Sequence, residues 1–149
     1  MDSRERQAGF LVRKLSNEIK KAGQHNNSKC NGRLTMMQGW IIGYLANNKD
    51  HDIYQTELET QLNIGKSTLT ELLQLMEKND LVKRVMSEND GRCKKIVLTE
   101  KSRQIDLQIS QDIAKREELM RRGISDEDYE VFIRTIKKMI DNVSSLKED

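Results

Sequence analysis

The sequence predicts a mainly α-helical protein that carries one small β-hairpin. Three observations point there. The 149 residues contain no proline, and charged residues reach 34% against 36% apolar. With one Trp, three Tyr and two Phe, the composition favours long, charge-coated helices over an all-β domain. Apolar side chains recur at three- and four-residue steps along most of the chain, and only LVKRVMS and KKIVLT read as short strands. The length suits one domain, residues 1–149, with a core of its own or one shared with a partner.

From Arg4 to Ala22, Phe10, Leu11, Leu15 and Ile19 mark an amphipathic first helix, which GQHNNSKCNG interrupts. Thr35 is the expected N-cap of a second, more apolar helix through Met37, Trp40, Ile41, Tyr44 and Leu45. Gly39 and Gly43 within it are expected to let another helix approach closely. Ile53, Leu58 and Leu62 then share a helical face, Asn63-Ile64-Gly65 makes a tight break, and Leu69, Leu72, Leu73 and Met76 share the next face. The two strands follow, around Glu88-Asn89-Asp90-Gly91, where Asp-Gly supplies the backbone angles of a hairpin turn. Thr99 caps a helix through Ile105, Ile109, Ile113 and Met120, and Gly123 ends it as a left-handed residue. Ser125 with Asp128 opens the last helix, with Tyr129, Phe132, Ile133, Ile136, Ile140 and Val143 on one side. The order is helix, helix, helix-turn-helix, hairpin, helix, helix.

Composition excludes several classes. GWIIGYLA is far shorter than the roughly 18 apolar residues of a membrane span, and the charged start MDSRERQ leads into no secretory core, so a cytoplasmic protein without membrane partner is expected. Cys30 and Cys93 have no paired spacing and no His pattern beside them, which suggests neither disulfide nor zinc. A redox role would need an activated thiolate, and Cys93 between Arg92 and Lys94 is the candidate. No catalytic constellation, metal site or cofactor is expected.

Gly65-Lys66-Ser67 poses a choice between the tail of a phosphate-binding loop and the start of a helix that lies in a DNA groove. The loop needs a glycine five residues before Gly65 and a buried strand upstream; Thr60 stands there, within the polar helical segment TELETQL. The groove reading uses more of the residues. With the leucine face committed to a core, Lys66, Ser67, Thr70, Glu71 and Gln74 fall on the opposite face and Thr68 at its edge, in the half of the helix that meets base edges and phosphates. A solvated polar face would fit that helix alone equally well. The hairpin adds weight to the groove reading: Arg92, with Lys94 and Lys95 behind it, can enter a minor groove, and Asp90 can hold the Arg92 guanidinium extended. Residues 81–95 carry five basic and two acidic side chains, whereas 123–149 carry seven acidic and four basic. The fold class is therefore a winged helix-turn-helix, mainly α with a β-hairpin wing.

These residues resemble the MarR-type winged-helix transcriptional regulators. DGRCKKIVLTEKS is similar to that family's wing signature, Asp-x-Arg followed by a strand and by Leu-Thr opening a long dimerisation helix. LETQLNIGKSTLTELLQLMEKNDLVKR matches its helix-turn-helix and first wing strand, and the likeness runs from the first helix to Leu146. Asn63 replaces a usual turn glycine, Glu59 a usual small residue at the helix crossing, and Glu71 a more usual basic or neutral residue. The resemblance implies a DNA-binding lobe at about 34–98 and dimerisation helices at about 1–30 and 99–149. Geometry agrees on dimerisation: the terminal helices expose apolar faces, with Phe10, Leu15 and Ile19 on one and Phe132, Ile136 and Ile140 on the other, and little monomer core to bury them. Two copies would set two recognition helices roughly 34 Å apart on a palindromic operator. The resemblance also implies a repressor relieved by a small aromatic effector near Met36, Trp40 and Tyr44, residues whose plainer reading is ordinary core. The alternative is a winged-helix protein-interaction module without DNA binding, with Glu71 as its best argument.

Overall fold

The computed structural model describes residues 3–26, 34–89 and 91–146. A 3-10 turn, Ser3–Arg6, precedes α1 (Ala8–Asn26); α2 (Met36–Asn47), α3 (Gln55–Leu62) and α4 (Lys66–Lys78) follow. Strands β1 (Val82–Met86) and β2 (Lys94–Leu98) form the hairpin, and α5 (Glu100–Arg121) and α6 (Asp126–Ser145) complete the chain. The element order is the expected one. The first helix differs at both ends: Ser3–Arg6 winds as a 3-10 turn, and α1 continues through Gly23 to Asn26. One interior glycine costs a helix only about 1 kcal/mol, too little to end it. Cys30 lies outside the described residues.

The chain divides into two units, Met1–Ser110 and Gln111–Asp149. In the first, the core is built from Ile41, Ile42 and Leu45 of α2, Leu58 of α3, Leu69, Leu73 and Met76 of α4, Val82, Ile96 and Leu98 of the hairpin, and Ile109. Thr35 caps α2 in a reciprocal box: its Oγ1 accepts from the Gln38 N–H at 3.2 Å, and its own N–H donates to Gln38 Oε1 at 3.0 Å. That use explains why Gln38 is buried. Gly39 is buried, but among the described residues of the chain Gly43 does not serve the expected close approach: a Cβ there would meet nothing within 4 Å. Ile41, Ile42 and Leu45 take α2 into the core, and the Gly43 position is left half-open beside them.

β1 and β2 pair antiparallel, from Val82 opposite Leu98 to Met86 opposite Lys94. Beyond the ladder, Ser87 N–H donates to Cys93 O at 3.1 Å, and Ile96 N–H donates outward to Ile53 O at 2.8 Å, so the α2–α3 linker covers part of the β2 edge. Thr99 caps α5 as expected, its Oγ1 accepting from Ser102 N–H at 3.2 Å and donating to Asp80 O at 2.6 Å. Buried Ser102 donates to Leu81 O, and Lys101 Nζ donates to Asn79 O at 3.0 Å. The start of α5 is thereby clipped to the turn between α4 and β1.

In the second unit, Gly123 takes the left-handed φ of 78°, which ends α5. Ser125 Oγ accepts from Asp128 N–H at 3.1 Å to open α6, whose first turn holds Asp126, Glu127 and Asp128 at the positive end of the helix dipole. Arg121 joins the two helices: its Nη2 lies 2.7 Å from Asp126 Oδ1 and its guanidinium stacks 4.1 Å from the centre of the Tyr129 ring. Tyr129 OH donates to Glu117 Oε2 at 2.9 Å. None of the residues of α6 is buried.

Candidate nucleic-acid interface

The break between α3 and α4 closes on Asn63, which adopts left-handed angles (φ 50°, ψ 51°) in place of the usual glycine. Its N–H and that of Ile64 satisfy the last carbonyls of α3. α4 then starts at Gly65, a cap without a side chain to satisfy the N–H groups of the first turn, so that end favours an anion. Leu69, Leu73 and Met76 are buried and Leu72 is half-buried, while Lys66, Ser67, Thr68, Glu71 and Gln74 are all exposed. Leu75, not singled out from sequence, is 48% exposed beside Gln74.

Thr70 is half-buried and already engaged. Its Oγ1 donates to Lys66 O at 2.8 Å and accepts from Gln55 Nε2 at 2.7 Å. A hydroxyl has one donor and two acceptor positions, so Thr70 keeps one acceptor and no donor for a base edge. Gln55, at the start of α3, thus braces the α3–α4 crossing; nothing in the spacing of the sequence points to it.

On the wing, Arg92 and Lys94 are exposed. Lys95 is half-buried, and its Nζ lies 3.3 Å from Asp52 Oδ1. Asp90, expected to hold Arg92, lies outside the described residues. Arg84 of β1 ties the wing root to α4 through Glu77 (Nε to Oε1, 2.7 Å). Asp52, Tyr54, Ser87 and Asn89 form a polar cluster under the wing that sequence reading missed.

Of the expected effector residues, Trp40 is 43% exposed, and Met36 and Tyr44 are half-buried, so none is closed core. Tyr44 OH donates to Glu57 Oε1 at 2.6 Å, and His51 Nε2 reaches the same oxygen at 2.7 Å while its Nδ1 lies 3.0 Å from Asp50 Oδ1. Glu57, followed by Asp50, holds the His51 imidazolium above its ordinary pKa; the Tyr44 hydroxyl and His51 hold Glu57 below the usual carboxylate range. A groove of about 320 Å³ lies between the linker, β2 and the start of α5, lined by Leu45, Asp52, Ile53, Lys95, Leu98 and Arg103 among others, and by none of Met36, Trp40 and Tyr44.

Phe10 and Leu15 of α1 and Phe132 and Ile140 of α6 are exposed; Ile19 and Ile136 are half-buried. Among the described residues no helix is long and apolar enough to cross a membrane, and no cluster of His, Cys, Asp and Glu could hold a metal ion.

A family model described as the MarR family matches residues 34–92, which span α2 to the wing. The transcription regulator MarR from Oenococcus oeni PSU-1 is 31% identical, over 91% of this chain and 99% of that one, with a TM-score of 0.75. Two further solved structures share the fold at lower identity. They are the S. aureus MepR–DNA complex (23%, 95% of this chain and 99% of that one, TM-score 0.83) and the transcriptional regulator SlyA (16%, 91% and 94%, TM-score 0.79). With a winged helix-turn-helix of this geometry and a relative of that identity along nearly its whole length, the chain belongs to the MarR family of transcription regulators.

Proposed function

We propose that the protein is a homodimeric, sequence-specific binder of double-stranded DNA that acts as a cytoplasmic repressor and is relieved by a small-molecule effector. The observation that carries the reading is the pairing of two exposed features on one lobe: the polar face of α4 with Lys66, Ser67, Thr68 and Gln74, and a wing bearing Arg92 and Lys94. A helix of this kind supplies base-edge contacts, and a thin basic ribbon supplies affinity for groove and backbone. The MepR structure, an S. aureus protein of the same fold in complex with DNA, supports the same use here. The exposed apolar residues of α1 and α6 support a dimer, and hence a palindromic site. Met36, Trp40 and Tyr44 are our candidates for contacts to a small aromatic effector.

Glu71 favours a second reading. Its exposed carboxylate on the same α4 face repels phosphate unless it accepts from a cytosine amine, and a protein-interaction module would carry it without cost. Capture of genomic fragments by the purified protein, followed by sequencing, separates the two. The DNA reading expects recovered fragments to share an inverted repeat with half-sites about one helical turn apart; no enrichment of any fragment over a protein-free control favours the interaction module.

A further inference from the structure

Asp52 lies in the linker between α2 and α3, far from the wing in sequence, yet both arms of the wing converge on its carboxylate. Ser87 Oγ, just past β1, donates to Asp52 Oδ2 at 2.8 Å, and Asn89 Nδ2, further along the loop, donates to the same oxygen at 3.3 Å. From β2, Lys95 Nζ donates to Oδ1 at 3.3 Å. Ser87 is only 4% exposed, and its hydroxyl also accepts from Tyr54 OH at 2.8 Å and from Asn89 N–H at 3.2 Å. These three bonds engage the hydroxyl as both donor and acceptor and hold its orientation. The next linker residue, Ile53, accepts from Ile96 N–H of β2. A two-stranded ribbon alone is a poor rigid body; this one is held at the loop end of its ladder by a charged acceptor from outside the hairpin.

We propose that Asp52 is the positioning residue of the wing, acting through Ser87, Asn89 and Lys95 to hold Arg92 and Lys94 ready for DNA. The inference rests on the DNA-binding reading and deepens it. It reassigns Lys95: the side chain serves the wing through Asp52 and is not a phosphate contact. A preformed wing does not have to be ordered during binding, so releasing it should weaken DNA binding even though no contact to DNA is removed. The groove in which Asp52 and Lys95 face each other leaves this joint open to solvent on one side.

The test uses the full chain and a duplex recovered by the genomic capture. Amide hydrogen exchange of the free protein should accelerate at least about tenfold at Ser87 and in the β1–β2 ladder on Asp52→Ala, with α4 unchanged. On the duplex, Asp52→Ala and Lys95→Gln should each weaken binding about tenfold while keeping the wild-type salt dependence, whereas Lys94→Gln should lower the slope by about one unit. Tyr54→Phe, which removes a single donor to Ser87, should move both readouts in the same direction by less and serves if Asp52→Ala does not fold. Unchanged wing exchange overturns the anchor. Faster exchange with wild-type affinity overturns its role in binding, and a slope lowered by Lys95→Gln as much as by Lys94→Gln makes Lys95 a phosphate ligand. If the wild type binds no duplex, the DNA-binding reading fails and the positioning role with it; the exchange arm then reports whether Asp52 anchors the wing structurally.

Discussion

Phe132→Ala should dissociate the proposed dimer. α6 buries none of its residues, and Phe132 is 46% exposed with Val131, Met139, Ile140 and Val143 exposed on the same helix. A phenylalanine side chain offers about 200 Å², so roughly 90 Å² of it remains to be covered by a partner. At about 25 cal/mol per Å², that burial is worth ~2 kcal/mol in each protomer. A two-fold interface uses the residue twice, so the dimer should lose about 4 kcal/mol, or roughly a thousandfold in its dissociation constant. Sedimentation equilibrium over a concentration series reads this directly, with far-UV circular dichroism as the control for retained helix. A wild type that sediments as a 17.3 kDa monomer at micromolar concentration, or a variant with an unchanged dissociation constant, would refute the reasoning.

On the recognition helix, Gln74→Ala should change preference at particular base pairs, by roughly 1–3 kcal/mol each. Thr70→Ala should instead lower affinity across sequences, because it frees Gln55 and loosens the α3–α4 crossing; selection profiles of the two variants on randomised half-sites distinguish them, and equal base-specific changes would count against the brace. His51 gives a pH dependence. Its pKa is raised above the ordinary 6.5 by Glu57 and Asp50, so the stability it contributes is complete below that value and is lost as pH rises through the folded pKa. The melting-temperature difference between wild type and His51→Gln should therefore be larger at pH 5.5 than at pH 9, and an NMR titration placing His51 at or below its ordinary value would contradict the carboxylate clamp.

Those features of the fold that rest on local rules were legible in the sequence. The buried face of α4 follows from Leu69, Leu73 and Met76 at helical spacing, and the left-handed turn from the tolerance of Asn63 for positive φ. Thr35, Thr99, Ser125 and Gly123 punctuate helices as their side chains or lack of one dictate. The exposed members of the candidate DNA face followed from the same periodicity. What escaped were contacts between residues distant in sequence: Asp52 with Ser87, and Gln55 with Thr70, are polar pairs whose partners no periodicity links. For this reason Thr70 and Lys95 read from sequence as simple contacts, although both side chains are engaged within the protein. Gly43 misled for a related reason: a glycine marks a permitted approach, and only the packing of Ile41, Ile42 and Leu45 decides whether the space is used.

The central claim, that α4 reads sequence and the wing supplies general affinity, is tested most directly by fluorescence anisotropy of wild type and Arg92→Ala on the captured palindrome and on a scrambled duplex, over a salt series. The account expects the wild type to prefer the palindrome by about a thousandfold or more. Arg92→Ala should weaken both complexes by a similar factor and lower the salt slope by about one unit if the guanidinium meets a phosphate. Equal wild-type affinity for the two duplexes, with no effect of Arg92→Ala on either, would contradict it and favour the protein-interaction module.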